Sequence, residues 1–380
     1  MTAPPSHTYA ALLTPNARGA IATVAVRGEG AAACAGNYFT SFSRVPLAEA
    51  AVGRILVGQW KGADEEIGEE LVVARVDEQT VEIHCHGGLQ ASRRILDHLA
   101  AEGCEICTWQ EWTRRQNADP IAAEAIILLP TAPTERTALH LLDQYQGAFT
   151  EAIARIETAL LTGERTDALQ QTEKLRELAP FGRHLTEPWS VVLAGPPNVG
   201  KSSLLNRIVG YDRAIVLDMP GTTRDVLNVL TALDGWPVRF SDTAGIRVSE
   251  DELEQAGIAK AKEALKQADL VIVLHDAANL QPDELDVSLR ELPSALHVVN
   301  KTDLVPGSNV PAEMLATSAL TGQGVPELIS AIVGRLVPEV PASGQALPFT
   351  RQQEEILAQV NHALQQEDAA TAIALLRTLN

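Results

Sequence analysis

The sequence contains few cysteines, and that scarcity limits the class of protein it can encode. Four cysteines in 380 residues are too few for a disulfide scaffold, which small secreted domains need and a large apolar core does not. We therefore exclude the disulfide-rich secreted class and expect a reducing, cytoplasmic setting.

Long apolar runs are also missing. No stretch of about 18 or more apolar residues occurs, and residues 1–14 lack the basic flank and apolar run of a signal peptide. We expect a chain that neither spans a membrane nor is secreted.

Positive charge is scarce as well. Lysine and arginine number 30 against 49 aspartate and glutamate residues, which gives a formal net charge of −19. The electrostatic field of this net negative charge repels nucleic acid at long range, so RNA binding would need a strong local basic patch. The apolar fraction of 46% is by contrast ample for a folded core. At this length we expect about two or three domains.

Three zones follow one another along the chain. The first, placed at 1–116, alternates short β-rich runs with Gly-containing turns around one helical pattern at 90–101, and predicts an α+β domain. Helical spacing dominates 121–183 and returns at 351–379. The intervening strand-like runs alternate with helical stretches, which predicts a mostly parallel α/β sheet. The strand-like runs of the two β-containing zones are 20–26, 54–57, 71–76 and 80–84, and then 190–195, 226–232, 238–242, 270–275 and 297–300.

These zones predict a multidomain fold. An α/β domain at 187–338 is inserted into an α-helical domain formed by 117–186 plus 341–380. Pro180 and Pro188 are expected to bracket the link into the inserted domain, because proline interrupts helices. Asp234-Gly235 between two strand runs predicts a tight hairpin.

The inserted domain opens with a phosphate-binding pattern. Its segment GPPNVGKS at 195–202 fits G-x-x-x-x-G-K-[ST] between a strand and a helix. Backbone N–H groups of such a loop surround phosphates, Lys201 supplies a charge to the β- and γ-phosphates, and Ser202 ligates Mg²⁺. If this pattern stood alone, a chance match would be the alternative interpretation. The candidate nucleotide-binding residues of this segment are Asn198, Val199, Gly200, Lys201, Ser202 and Ser203.

Three further motifs follow in order at strand ends. In DTAG, Asp242 can reach the Mg²⁺ shell and the Gly245 N–H can meet the γ-phosphate. In NKTD, the Asp303 carboxylate can accept from both N1–H and N2–H of guanine but would face an acceptor in adenine, so it selects guanine. The remaining candidates are Asn300 and Lys301 of that motif, and Ser318 and Ala319 of a TSA segment beside the base. Four ordered motifs make a chance reading negligible.

This order of motifs resembles GTPases of the translation-factor class, and further segments resemble the MnmE (TrmE) family of tRNA modification GTPases. The segments that carry the resemblance are GTTRD at 221–225 after AIV at 214–216, the asparagine of PPNVGKS, VEIHCHGG at 81–88, PNARGAI at 15–21 and QGAF at 146–149.

The resemblance implies roles for several residues. Glu254 would orient or polarise the attacking water, since Ile246 follows DTAG where many GTPases carry a glutamine. A K⁺ ion would replace an arginine finger, and Thr223 would join Ser202 on Mg²⁺. The implied K⁺ ligands are Asn198, Leu217, Met219 and Thr222, with Thr222 also at the nucleotide. The alternatives are a solvated acidic face for Glu254 and a turn-capping role for Asn198.

The resemblance also implies partners. They are GTP and GDP, a second copy of the chain contacted through the N-terminal and G domains, tRNA, and a flavin-dependent partner protein. The first domain of the family resembles folate-binding domains.

Departures from the family pattern predict weak folate binding or none. Ala25 stands where the family has an arginine, and the lysine of a family FLNGKLDL stretch is missing where QNADP stands at 116–120. The sequence ends LRTLN at 376–380, where the family has Cys-x-Gly-Lys. Arg27, on the same strand face as Ala25, is an alternative cation. The competing functional hypothesis is therefore a diverged paralogue that acts as a GTP-driven switch or interaction protein without folate or tRNA-modification chemistry.

Cysteines and paired arginines offer weaker hypotheses. Cys104-x-x-Cys107 and HCH at 84–86 suggest zinc, but adjacent strand residues point to opposite faces, so buried cysteines are preferred. Arg93-Arg94 and Arg114-Arg115 are interpreted as solvated surface rather than phosphate contacts.

Overall fold

A computed structural model of the chain describes residues 8–211, 214–216, 228–242, 267–280, 294–305 and 310–379. The chain forms two compact units, Met1–Ala118 and Asp119–Asn380.

The first unit is built on a seven-stranded sheet with the order β3-β4-β5-β6-β2-β1-β7. All neighbours pair antiparallel except β1 and β7, which run parallel. The strands are β1 Tyr9–Leu12, β2 Ile21–Arg27, β3 Phe39–Ser41, β4 Ile55–Trp60, β5 Glu69–Arg75, β6 Thr80–His86 and β7 Glu105–Ile106.

The two faces of this sheet pack differently. Val24 and Val26 of β2 face a large core that includes α1 (Ala31–Gly36) and α2 (Leu89–Ala101). The alternate residue Ala25 faces the other way, where it packs with Trp112 of α3 (Trp109–Gln116). This separation follows from the period-2 geometry of a strand.

The second unit contains a helical layer whose core joins residues 121–185 to 347–379. Threonine capping boxes start three of the helices in this chain, at Thr108, Thr134 and Thr350, and satisfy backbone N–H groups that the first turn leaves unpaired. The helices of the layer are α4 Pro120–Leu128, α5 Glu135–Tyr145, α6 Ala148–Leu161, α7 Arg165–Arg183, α10 Arg351–Gln365 and α11 Ala369–Leu376.

Between α7 and α10 the chain forms a second seven-stranded sheet with the order β14-β13-β12-β8-β11-β10-β9. The strands from β14 to β11 are parallel, and β10 pairs antiparallel with both β11 and β9. Helices α8 (Lys201–Val209) and α9 (Val325–Leu336) pack on the sheet core. The strands are β8 Trp189–Ala194, β9 Ala214–Val216, β10 Asn228–Leu233, β11 Trp236–Asp242, β12 Leu270–Asp276, β13 Leu296–Asn300 and β14 Leu315–Ala316.

Aromatic rings join the helical layer to this sheet. Phe181 of α7 packs edge-on against Trp189 and Trp236, with ring centroids 5.8 Å and 5.4 Å apart. His140 of α5 stacks on the Trp236 ring at 6.1 Å. Burying large rings from both layers in one cluster stabilises their contact.

Most predicted elements are confirmed, and one predicted break is wrong. The strand runs, the 90–101 helix and the Asp234-Gly235 hairpin all lie within one to three residues of the observed elements. Pro180 does not start the link, because α7 continues to Arg183 with Pro180 inside it. Ala179 and Gly182 are buried there, and this packing offsets one missing backbone hydrogen bond. The predicted strand runs did not include β1, β3, β7, β9 or β14, and helices α1 and α3 were not predicted either.

Candidate nucleotide site

The candidate residues that the structure describes in the second unit collect at one edge of its sheet. The loop 195–200 follows β8, Asp242 ends β11, and Asn300 ends β13. The segment with Ser318 and Ala319 follows β14. Parallel strands bring their carboxyl ends together, and that edge is where open α/β sheets bind ligands.

The loop between β8 and α8 turns tightly through left-handed conformations. Gly195, Asn198 and Gly200 have φ values of 139°, 62° and 98°. Glycine adopts such angles without cost, and asparagine tolerates them better than most residues. Lys201 is buried, and its Nζ donates to the carbonyl oxygens of Gly195 and Pro196, each at 3.0 Å. The ammonium group is thus held inside the loop that the sequence predicts for phosphate binding.

Asn300 connects this loop to the other motifs. Its side chain is 1% exposed, and its Nδ2 donates to the carbonyl oxygen of Val199 at 2.9 Å. Its Oδ1 accepts from the Ala319 N–H at 3.2 Å and from Thr317 Oγ1 at 3.3 Å. A Cβ at Gly200 would lie only 2.5 Å from Asn300 Nδ2, so glycine is required for this approach. Three of the predicted motifs therefore meet at one buried amide.

Asp303 lies beside the last loop. Ser318 is fully buried, and its Oγ donates to Asp303 Oδ1 at 2.5 Å. The Thr321 N–H donates to Ser318 Oγ at 3.1 Å, which orients the hydroxyl. The carboxylate proposed to read the base is therefore held by a second loop.

Lys301 has a partner that was not predicted from the sequence. Its Nζ lies 2.8 Å from Oδ2 of Asp276, the last residue of β12. Burial favours the neutral acid, but hydrogen bonds from Lys301 and the Ala278 N–H outweigh it and hold the pKa of Asp276 below its usual range. The available signal was an acidic residue at the end of the apolar run LVIVLHD, at the same sheet edge as the known motifs.

The remaining candidates divide into three groups. Asn198 on the loop and Ser202 and Ser203 in the first turn of α8 are exposed to solvent. The backbone of Asp242 pairs with Leu193, whereas its side chain lies outside the described part of the chain. The candidates that fall wholly outside the described residues are Leu217, Met219, Thr222, Thr223, Gly245 and Glu254.

Comparisons with known proteins match both β-containing parts of the chain. Residues 190–301 match the family model described as 50S ribosome-binding GTPase, and residues 8–118 match GTP-binding protein TrmE N-terminus. The tRNA modification GTPase MnmE of Symbiobacterium thermophilum is 37% identical over 326 residues, which cover 75% of this chain and 71% of that protein. The MnmE of Geobacillus thermodenitrificans is 34% identical over 376 residues, which cover 86% of this chain and 81% of that protein.

The chain belongs to the MnmE family of tRNA modification GTPases. The resemblance seen in the sequence is thereby confirmed, and the MnmE-type chain carries a GTPase domain. Among the residues that the structure describes, no helix has both the length and the apolar character to cross a bilayer.

The N-terminal unit of this MnmE-family chain shows what surrounds Ala25. Ala25 is fully buried beside Ala11 and under Trp112. The nearby cation Arg27 is engaged within the unit: its Nη1 lies 3.1 Å from Asp77 Oδ2 and 2.7 Å from Thr80 Oγ1. Position 25 therefore offers no charge, and Arg27 already has anionic and hydroxyl partners.

The cysteines of the MnmE-type unit are mostly interior. Cys34, Cys85 and Cys104 are buried, and burial raises the pKa of Cys85 to about 11 and that of Cys104 to about 12. Across the described ranges, no group of three or more His, Cys, Asp or Glu side chains converges as metal ligands. Of the paired arginines, Arg94 contacts Glu65 at 2.9 Å.

Proposed function

We propose that this MnmE-family chain binds GTP with Mg²⁺ and hydrolyses it to GDP and phosphate at the carboxyl edge of its parallel sheet. The observation that carries the proposal is the buried Asn300 side chain, which contacts both the loop 195–200 and the segment that follows β14. A site assembled in this way can hold phosphates and base at the same time.

The phosphates would bind against the loop N–H groups and the start of α8, with Lys201 as the fixed cation. Ser202 would hold Mg²⁺ together with Thr223 and Asp242, and Mg²⁺ neutralises charge that develops on the phosphate oxygens. Water attacks the γ-phosphorus while the bond to the bridging β-γ oxygen breaks. Glu254 is the proposed residue that orients this water.

The base would be read by Asp303, which accepts from guanine N1–H and N2–H. Its anchor on Ser318 supports this role, because a carboxylate held from two loops loses little conformational freedom on binding. Ala319 lies at the same place, with its N–H already donated to Asn300.

Hydrolysis is proposed to depend on K⁺. Asn198 is exposed at the turn of the loop, with a left-handed φ of 62°. An exposed amide oxygen there can coordinate a cation together with Leu217, Met219 and Thr222. The same left-handed turn also fits a capping role for Asn198. An experiment must therefore distinguish K⁺ coordination from turn capping.

GTP hydrolysis should be measured in KCl and in NaCl at equal ionic strength, with wild type and Asn198→Ala. We expect the wild type to hydrolyse GTP faster in KCl than in NaCl. Asn198→Ala should lose this difference and still bind GTP. Equal wild-type rates in the two salts would exclude the K⁺ role. A variant that no longer binds nucleotide would favour turn capping.

The wider assignment follows the relatives, which are named tRNA modification GTPases. We propose a cytoplasmic homodimer that contacts itself through the domains at 1–116 and 187–338, and acts on tRNA with a flavin-dependent partner protein. In this assignment the first domain is folate-binding-like, and the G domain is inserted into the helical domain 117–186 plus 341–380.

A second candidate is a GTP-driven switch or interaction protein without folate chemistry. It is favoured by Ala25, which is buried under Trp112, and by Arg27, which is engaged by Asp77. Mass spectrometry of tRNA wobble uridines in a deletion strain separates the two candidates. Unmodified uridines that the wild-type gene restores would support the modification enzyme, and unchanged uridines would support the switch.

A further inference from the structure

A carboxylate at the end of β12 is fixed against the lysine of the NKTD motif. Asp276 Oδ2 lies 2.8 Å from Lys301 Nζ, and Asp276 Oδ1 accepts from the Ala278 N–H at 3.0 Å. The Asp276 side chain is only 17% exposed. Both carboxylate oxygens therefore have a defined partner, and the carboxylate has little freedom to move.

The backbone of Lys301 needs such an anchor. Its φ of 64° is left-handed, a conformation that is unfavourable for a residue other than glycine. Backbone strain of this kind persists where the surroundings hold it in place. In the parallel register Asp276 lies opposite Asn300, so β12 delivers the carboxylate directly beside the strained residue.

The neighbours of Lys301 are held from other directions. Asn300 contacts the phosphate loop, Thr302 Oγ1 donates to the Thr317 carbonyl oxygen at 3.0 Å, and Asp303 contacts Ser318. Lys301 is instead held by β12, with a charged contact. A Cβ built on Gly200 would lie 3.9 Å from Lys301 Cε, so the lysine stem also passes beside the phosphate loop.

We infer that Asp276 is a positioning residue for guanine recognition: through its ion pair with Lys301, it holds the left-handed turn that orients Asp303 toward the base. The inference rests on the proposed GTP site and adds a residue from a strand outside the four recognised motifs. Asp276 itself need not touch the nucleotide.

The test compares Asp276→Asn with Asp269→Asn. The first variant keeps the side-chain volume and the Oδ1 acceptor for Ala278 but loses the ion pair. The second is a matched control at the other end of β12, where Asp269 accepts from the Ser190 N–H at 2.6 Å and pairs with His184 at 3.4 Å. Isothermal titration with Mg²⁺ gives the Kd of each protein for GDP and for IDP.

IDP lacks the exocyclic amino group, so the ratio of the IDP and GDP dissociation constants reports how well Asp303 is placed. We expect Asp276→Asn to bind GDP about tenfold more weakly than wild type, as for one lost charge-assisted contact, and its ratio to fall toward one. Asp269→Asn should keep the wild-type ratio. General destabilisation of the fold would not change the ratio.

A wild-type ratio in Asp276→Asn, or an equal fall in Asp269→Asn, overturns the inference. Circular dichroism checks that the variants are folded. If Asp276→Asn is not folded, Asp276→Ser, which keeps an oxygen for the Ala278 N–H, takes its place under the same criterion. If the wild-type protein binds GDP no more tightly than ADP, the proposed function is overturned as well. This measurement distinguishes failure of the GTP site from failure of the positioning role of Asp276.

Discussion

Asp303 illustrates how a single side chain in this site depends on a neighbour from another loop. Ser318 donates to its Oδ1, and Ser318 is itself fully buried. An asparagine at position 303 can keep this bond through its own Oδ1. Its amide nitrogen then takes the place of the second carboxylate oxygen, so the substitution changes the hydrogen-bonding pattern without moving the side chain.

Asp303→Asn should shift the nucleotide preference from GTP toward XTP. The new amide donates to xanthine O2, where the carboxylate accepted from guanine N2–H. Each mispaired contact costs about 1 to 3 kcal/mol, or roughly 5- to 100-fold in affinity. Competition binding with GDP and XDP measures the shift. Glu313→Gln, which removes an exposed acid just before β14, is the control and should keep the guanine preference. An unchanged preference in Asp303→Asn would show that the NKTD assignment is wrong.

At the scale of elements, the β10–β11 hairpin is attached to helix α5 through its turn. Asp234 and Gly235 have φ values of 50° and 82°, as a two-residue hairpin turn requires. Arg136 of α5 donates to the Asp234 carbonyl oxygen at 2.9 Å, and its guanidinium lies 4.7 Å from the centre of the Trp236 ring. One arginine thus binds the turn and covers the aromatic ring beside it.

Arg136→Ala should lower the free energy of unfolding by about 1 to 2 kcal/mol, because it removes a cation–π contact and a hydrogen bond. Urea denaturation monitored by tryptophan fluorescence measures the change. Arg155→Ala is the control, since Arg155 forms only a 4.0 Å surface pair with Glu151 on α6, and such pairs contribute little. Equal effects of the two substitutions would contradict a specific role for Arg136.

The same junction should be sensitive to acid through His140. Burial lowers the pKa of His140 below its ordinary 6.5, an effect that Asp143 opposes and Arg136 reinforces. The unfolded chain then binds a proton below pH 6.5 that the folded chain does not. Above pH 6.5, His140 therefore does not reduce the free energy of unfolding. As the pH drops from 6.5 toward the folded pKa, the free energy of unfolding falls by at most about 1.4 kcal/mol per pH unit for this group.

His140→Phe should reduce the loss of unfolding free energy at acid pH, while it keeps an aromatic ring against Trp236. Urea midpoints at pH 8 and pH 5.5 measure the difference. The pKa of His275 is lowered by burial and by His297, so part of the acid loss should remain in the variant. An identical pH dependence in wild type and His140→Phe would show that His140 is not responsible.

At the scale of the whole molecule, the two units differ in the groups that they present at the positions predicted for GTP and for folate. The sheet edge of the second unit retains the buried contacts of Asn300 and Lys201. In the first unit, position 25 is alanine under Trp112, and Arg27 is bound to Asp77. GTP chemistry and folate chemistry can therefore be tested separately.

The chain should bind 5-formyltetrahydrofolate at least about tenfold more weakly than a full-length MnmE that carries both cations of the family pattern. The resemblance predicts one cation at each of two places, position 25 and the segment 116–120, and the loss of each would remove about 1.5 to 3 kcal/mol of binding free energy. The deficit then exceeds tenfold even if water recovers half of it. Isothermal titration of both proteins under one set of conditions gives the comparison. Similar dissociation constants would remove the argument for the folate-free switch.

Much of this molecule follows from local chemistry along the chain. β-rich apolar runs predicted most strands, Asp234-Gly235 predicted its hairpin, and Gly195, Gly200 and Lys201 identified the phosphate loop. These features depend on side chains and backbone preferences within a few residues of one another, which a linear pattern contains.

Contacts between residues far apart in the chain became known from the three-dimensional fold. The two-residue strand β7 exists because it pairs with β1, and too few of its own residues alternate to predict it. Asp276 acquires its partner because β12 and β13 lie side by side, and Ala25 is buried because α3 places Trp112 over it. Contacts between residues far apart in the chain depend on strand order and helix packing, and no short segment of the sequence specifies either.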